Sequence, residues 1–211
     1  MTTDTALTAE QILIAAEEAL RRFGPAKATV VDVARELGVS HSSVYRHFAS
    51  KAALREAVTQ RWLNQAHYDL EMVANDTGGA VDRLHRWLTT LFEAKRKKAL
   101  DDPELFATYL VLAEENSAVV DAHIETLVKQ IAQIVHDGMD EKDFRLAHVP
   151  STARAVFDAT APFHNPVFAS TWSEPTADER FAAVWKLVLG GLKGKSSKPS
   201  PEPAGYEPTA P

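Results

Sequence analysis

Apolar residues return every three or four positions along most of the chain and nowhere alternate for long, so the pattern predicts helices and no sheet. Thr8 followed by Gln11 reads as a capping box, and Ile12, Ala15, Ala16, Ala19, Leu20 and Phe23 then form one stripe up to Gly24-Pro25. Thr29 with Asp32 opens a shorter helix with Val33, Ala34 and Leu37 inward, and Gly38 supplies the left-handed residue that ends it. Ser40 caps a third helix, and Ser50 caps a fourth whose stripe Leu54, Val58, Trp62, Ala66 and Val73 runs to a break at 75–79.

The same period continues through Val81, Leu84, Leu88 and Leu91, through Leu105 to Leu112 behind Asp102-Pro103, and through Val120, Ile124, Leu127, Ile131, Ile134 and Val135. Residues 137–150 are expected as a loop, 151–163 as a helix and 164–175 as a Pro-containing connection. Phe181, Val184, Trp185, Val188 and Leu192 mark a last amphipathic helix. The expected fold is all-α, with an N-terminal three-helix domain over 1–50 and a larger helical domain over 51–192. The segment 193–211 holds five of the eleven prolines and almost nothing apolar, so it is expected as a disordered tail.

Composition narrows the class of protein. The hydrophobic share of 45% suits a packed globular fold, and the absence of cysteine excludes disulfides and thiolate metal sites. The start, MTTDTALTAEQ, lacks the basic and apolar regions of a secretion signal, and no run is long and apolar enough for a membrane helix, which points to the cytoplasm. None of the eight histidines pairs at a metal-ligand spacing, so neither metal nor cofactor is expected. There is no nucleophile elbow or phosphate loop, and an enzyme is not expected either.

The net charge of −6 is unevenly spread. Eight lysines and arginines stand against seven acids through residue 61, and fifteen against twenty-two beyond it. The first segment therefore escapes the acidity that would repel phosphate. Within it, the two short helices joined by Gly38-Val39-Ser40 form a helix-turn-helix. Projecting the second at 100° per residue turns Val44 and Phe48 inward. Ser42 and Arg46 then face away, with Ser43 and Tyr45 beside them and His41 and His47 at the edges, a donor-rich face sized for a major groove. Lys51 sits in the first turn after the Ser50 cap, where a cation opposes the helix dipole unless an anion lies nearby. Backbone N–H groups, dipole and ammonium together suit a phosphate.

The stretch TVVDVARELGVSHSSVYRHFASKAAL resembles the DNA-binding segment of the TetR family of bacterial transcriptional regulators. Thr29, Ala34, Gly38-Val39-Ser40, Tyr45, His47-Phe48 and Lys51-x-x-Leu54 stand at the family's spacings. The resemblance implies phosphate contacts from Thr29, Tyr45, His47 and Lys51, and base contacts from His41, Ser42, Ser43 and Arg46. Val30 is apolar where some relatives carry a base-contacting polar side chain. The resemblance also implies a dimer on palindromic double-stranded operator DNA, and a C-terminal domain that holds a small effector and pairs through its last two helices.

Thirteen of the seventeen aromatics lie between residues 62 and 185; most are expected in the core and about a third around a cavity for an apolar effector. Trp62, Trp87, Phe92, Phe106, Tyr109, His123, Phe163 and His164 are the candidates, with Tyr109, His123 and His164 as polar anchors. Val156, Phe157, Phe163, Phe181, Val184, Trp185 and Val188 are the candidates for the dimer interface. The basic run Lys95-Arg96-Lys97-Lys98 reads as helix-end cations complementing the dipole. Repression relieved by the effector is the expected function. The alternative is a constitutive helix-turn-helix DNA-binding or adaptor protein with no effector pocket.

Overall fold

The computed structural model describes residues 7–65, 67–145 and 148–194. Among them the chain forms ten α-helices: α1 (Ala9–Lys27), α2 (Val30–Glu36), α3 (His41–Tyr45), α4 (Lys51–Asn64), α5 (His67–Ala74), α6 (Ala80–Asp101), α7 (Pro103–Glu115), α8 (Ser117–Asp140), α9 (Val149–Ala159) and α10 (Ala177–Leu192). Two 3-10 turns, Ala161–Phe163 and Pro166–Thr171, lie between α9 and α10, and there is no strand among the described residues. Only the first two residues of the expected tail, Lys193 and Gly194, are described, and Lys193 caps α10; the rest lies outside the described residues.

The N-terminal caps match the sequence. Thr8 with Gln11 and Thr29 with Asp32 form reciprocal capping boxes, and the Ser40 and Ser50 hydroxyls accept from the backbone of Ser43 and Ala53. Gly24 (φ 73°) and Gly38 (φ 65°) take the left-handed conformation that breaks α1 before a last turn at Pro25 and ends α2. Ile12, Ala16, Leu20, Val33, Ala34 and Val44 from α1–α3 bury one small core, closed by Leu54 and Val58 of α4.

The expected long fourth helix is two. α4 stops at Asn64, and α5 buries Leu70 and Ala74 where the sequence stripe pointed to Val73. In the last turns of α4, Lys98 Nζ donates to the Trp62 carbonyl at 2.5 Å. α8 also runs further than expected, to Asp140, and shortens the loop before α9.

Buried Arg83 ties the larger domain together. Its guanidinium donates to the Ala74 carbonyl at 3.0 Å and to Asp137 at 2.8 Å, so α5, α6 and α8 share one charge-assisted node. The turn after α8 closes tightly, and a Cβ at Gly138 would run into the Phe144 ring and stand 2.9 Å from Ala80 Cβ. Gly138→Ala is therefore expected to destabilise the protein by about 1–3 kcal/mol. In a thermal melt this corresponds to a fall of about 2–4 °C per kcal/mol.

Candidate nucleic-acid interface and effector site

α3 is short because Val44 and Phe48 hold it down. Val44 is buried, and its carbonyl accepts from the N–H groups of His47 (3.0 Å) and Phe48 (3.1 Å), so the segment after Tyr45 tightens into a turn. This leaves His41, Ser42, Tyr45, Arg46 and His47 exposed and Ser43 partly so. The Arg46 guanidinium donates to Ser43 Oγ at 3.1 Å, and Ser43 Oγ is 2.9 Å from Ser40 Oγ. Among the described residues no other acceptor engages Arg46, so most of its N–H fork can turn to a base edge. The His41 ring meets Tyr45 edge-on at 6.3 Å.

Thr29 and Lys51 border one small, largely apolar gap walled by Leu20, Val30, Val33, Leu54 and Val58. The Thr29 hydroxyl donates to Asp32 Oδ2 at 2.6 Å while capping α2, and Lys51 is exposed on the first turn of α4. Two of the four expected phosphate residues are thus brought together by the ends of two helices. Val30 is buried in the core, which explains an apolar residue there, whereas its neighbour Val31 is exposed.

Several ion pairs that the sequence pattern does not reveal join this unit to the larger one. Arg55 donates to the Pro25 carbonyl at 2.7 Å and to Glu115 at the end of α7 at 2.5 Å. Arg61 bonds Glu10 (3.0 Å) and Glu17 (2.6 Å) of α1, and Arg21 pairs with Asp102 at 3.1 Å. Such pairs cross tens of residues and leave no periodic trace. The one signal for Arg55 is its position four residues after Lys51, on the same face of α4.

The expected effector residues divide into three groups. Trp62, Phe106 and Tyr109 line a cleft between α1, α4, α6 and α7, together with Arg21, Lys98 and Asp102. Trp62 stacks on Tyr109 at 4.4 Å, and burial pushes the Tyr109 hydroxyl well above the usual phenol range. His123 lines a narrower inner cavity with Leu63, Leu70, Leu91 and Lys95. Trp87, Phe92, Phe163 and His164 line neither. The Trp87 indole donates to Gln130 at 3.0 Å, and Phe92 and Phe163 close on Phe181 at 5.4 and 5.2 Å.

His164 Nε2 lies 3.0 Å from the Phe157 carbonyl, which can only accept, so that nitrogen carries the proton. Burial pushes its pKa from 6.5 down to about 4, against the opposing pull of that carbonyl. The unfolded chain therefore binds the proton first, and stability is lost as pH falls from 6.5 towards 4. The expected loss from this group is on the order of 3 kcal/mol. Urea midpoints at either end of that range, compared with those of His164→Gln, measure it; equal losses in both proteins would contradict the assignment.

Val156, Phe157, Phe163 and Phe181 are buried within the chain's own core. Val184, Trp185 and Val188 remain partly exposed on α10, and Leu187, outside the expected set, is 76% exposed. Val188 and Leu187 line a groove with Thr152, Ala155 and Ala159 of α9.

A donor-rich helix-turn-helix mounted on a helical body with a cleft beside its linking helix defines a DNA-binding regulator with a ligand-binding domain. The family model for bacterial regulatory proteins of the tetR family matches residues 12–58, and the tetracyclin repressor-like C-terminal domain matches residues 80–185. The chain belongs to the TetR family of transcriptional regulators.

Among curated relatives, an uncharacterized helix-turn-helix-type transcriptional regulator of Mycobacterium tuberculosis is 30% identical over 105 residues, half of either chain. The chain spans about half the length of the first such relatives. Two solved structures share the fold. SmeT, the repressor of the Stenotrophomonas maltophilia multidrug efflux pump SmeDEF, is 18% identical with a TM-score of 0.63, over 93% of this chain and 98% of that one. FadR of Bacillus subtilis, solved with stearoyl-CoA, is 14% identical with a TM-score of 0.64, over 88% and 100%. Among the described residues no helix is long and apolar enough to cross a membrane.

Proposed function

We propose that the protein is a cytoplasmic homodimeric repressor that binds a palindromic operator and is released by a small, largely apolar effector. The N-terminal unit over 1–50 reads DNA, through His41, Ser42, Ser43 and Arg46 at base edges and Thr29, Tyr45, His47 and Lys51 at phosphates. The unit over 51–192 binds the effector and pairs with its twin through α9 and α10. SmeT is described as a repressor and FadR was solved with an acyl-CoA, which agrees with both halves of this reading.

The observation that carries it is the reach of α4. Lys51 at its start is an exposed candidate for phosphate contact, while Trp62 near its end forms the cleft wall. A ligand that displaces Trp62 tilts this helix, and the bonds from Arg55 to the Pro25 carbonyl and from Arg61 to Glu17 carry the movement to α1. Two recognition helices must stand about 34–36 Å apart to enter successive major grooves, so a shift of a few ångströms loses one half-site.

Selection of bound duplexes from a random library tests the DNA half. Enrichment of a twofold-symmetric site with half-sites about one or more helical turns apart is expected. Enrichment of asymmetric sequences, or of none, contradicts it.

A further inference from the structure

Resting on the reading of an effector-binding domain, we propose that the effector is an organic acid, whose anionic head sits between Lys95, Lys98 and His123 and whose apolar body lies along Trp62 and Phe106.

The inner cavity is lined by Leu63, Leu70, Leu91, Ala94, Lys95, Lys98 and His123. Four apolar walls and three basic side chains make an unusual interior. Lys95 is 8% exposed and His123 is 6% exposed. Among the described residues no carboxylate lies within ion-pair distance of either ammonium, although the neighbouring Lys97 is paired with Asp101. Lys98 has partial compensation, from the Trp62 carbonyl at 2.5 Å and the indole face at 4.6 Å. Among the described residues Lys95 has that indole, at 5.6 Å, and no hydrogen-bond acceptor. Both ring nitrogens of His123 and Nδ1 of the adjacent His67 are buried with no hydrogen-bond partner.

Burying a cation without a counter-charge is costly, and evolution commonly avoids it or pairs it. Here the cost is visible in the proton affinities. Burial lowers the Lys95 pKa to about 8 and that of Lys98 to about 7, so near neutral pH the pair still carries positive charge. Burial and these ammonium groups push His123 down to about 3, so its ring is neutral and has one N–H to donate. Two lysines and a neutral histidine present donors and no carboxylate acceptor, which fits an anion and disfavours an amine or a metal cation.

Size then divides the ligand. The inner cavity is almost closed, at about 10 Å³, so a head group enters only as the Lys98 side chain moves off the Trp62 carbonyl. The outer cleft holds about 460 Å³ and shares Ala94 and Lys98 with it. With Lys98 displaced in this way, a carboxylate reaches Lys95 while its hydrocarbon stays against Trp62, Phe106 and Leu105. Glu17, Asp69, Asp101 and Asp102 line the cleft and not the inner cavity, although Glu17 is near enough to raise the proton affinity of Lys98.

The test compares 1-naphthoate and decanoate with 1-naphthol and decanol, by calorimetry and by release of the selected operator. The acids are expected to bind about 10–100 times more tightly than the alcohols, the size of one or two charge-assisted hydrogen bonds. Lys95→Met should erase that advantage, and Lys98→Met should reduce it. Unliganded Lys95→Met should melt no lower than the natural protein, since it removes an unpaired buried charge. A marked fall in its melting temperature would show that the ammonium holds the fold, and the proposal would be overturned. It is also overturned if the acids fail to bind or bind no better than the alcohols. Alcohols that bind and release the operator leave the effector reading standing without the anion. Compounds that bind yet never shift operator affinity remove the effector reading itself.

Discussion

Arg46→Ala is expected to weaken operator binding by about 1–3 kcal/mol per half-site and to relax preference at one base position, because its guanidinium is the longest donor on the exposed face of α3. Lys51→Ala is expected to act differently. As an exposed ammonium at the start of α4, beside Thr29, it should weaken all duplexes alike and lower the salt slope by about one unit per half-site. Both effects double in a symmetric dimer. Anisotropy titrations on the selected operator and on a scrambled duplex, each at several salt concentrations, separate them. An Arg46→Ala protein with unaltered base preference would show that another residue reads the groove.

The second large effect concerns pairing. Leu187→Glu is expected to separate the protomers, because Leu187 is 76% exposed on α10 beside Val188 and a groove floored by α9. A charge buried in a twofold interface meets its own copy across the axis, so the penalty is incurred twice. Operator affinity should then fall by about 100-fold or more, since the second half-site no longer binds intramolecularly. Sedimentation equilibrium reads the mass directly. A Leu187→Glu protein that remains dimeric would move the interface away from α9 and α10.

The DNA-reading unit is legible in the sequence because its determinants are local. Capping boxes, two left-handed glycines and the inward pair Val44 and Phe48 are written within a few residues of the structures they make. The break between α4 and α5 is not legible, since the apolar stripe of the sequence runs on past Asn64, where α4 ends. Nor is the division of α10 between core and surface: Phe181 goes inward and Leu187 outward because Phe92 and Phe163 wait on one side only.

The basic run reads as helix-end cations, and Lys98 does lie in the last turn of α6, but Lys95 is buried. The stripe Leu84, Leu88 and Leu91 continues by four to Lys95 and then by three to Lys98, so the helix carries these two into the interior. Arg96 and Lys97, on the other phase, pair with Asp178 and Asp101. Continuing an apolar stripe through a charged run, and asking which charge it buries, finds such residues in the amino-acid sequence itself.

The central claim is that one chain couples operator and effector through α4. The most direct measurement is the operator dissociation constant of the dimer with and without a compound that raises its melting temperature, paired with that compound's affinity with and without operator. A weakening of operator binding of about 5–150-fold is expected, matched by an equal weakening of the compound by DNA. Operator affinity unmoved by every stabilising compound would contradict the switch and leave a constitutive DNA-binding protein.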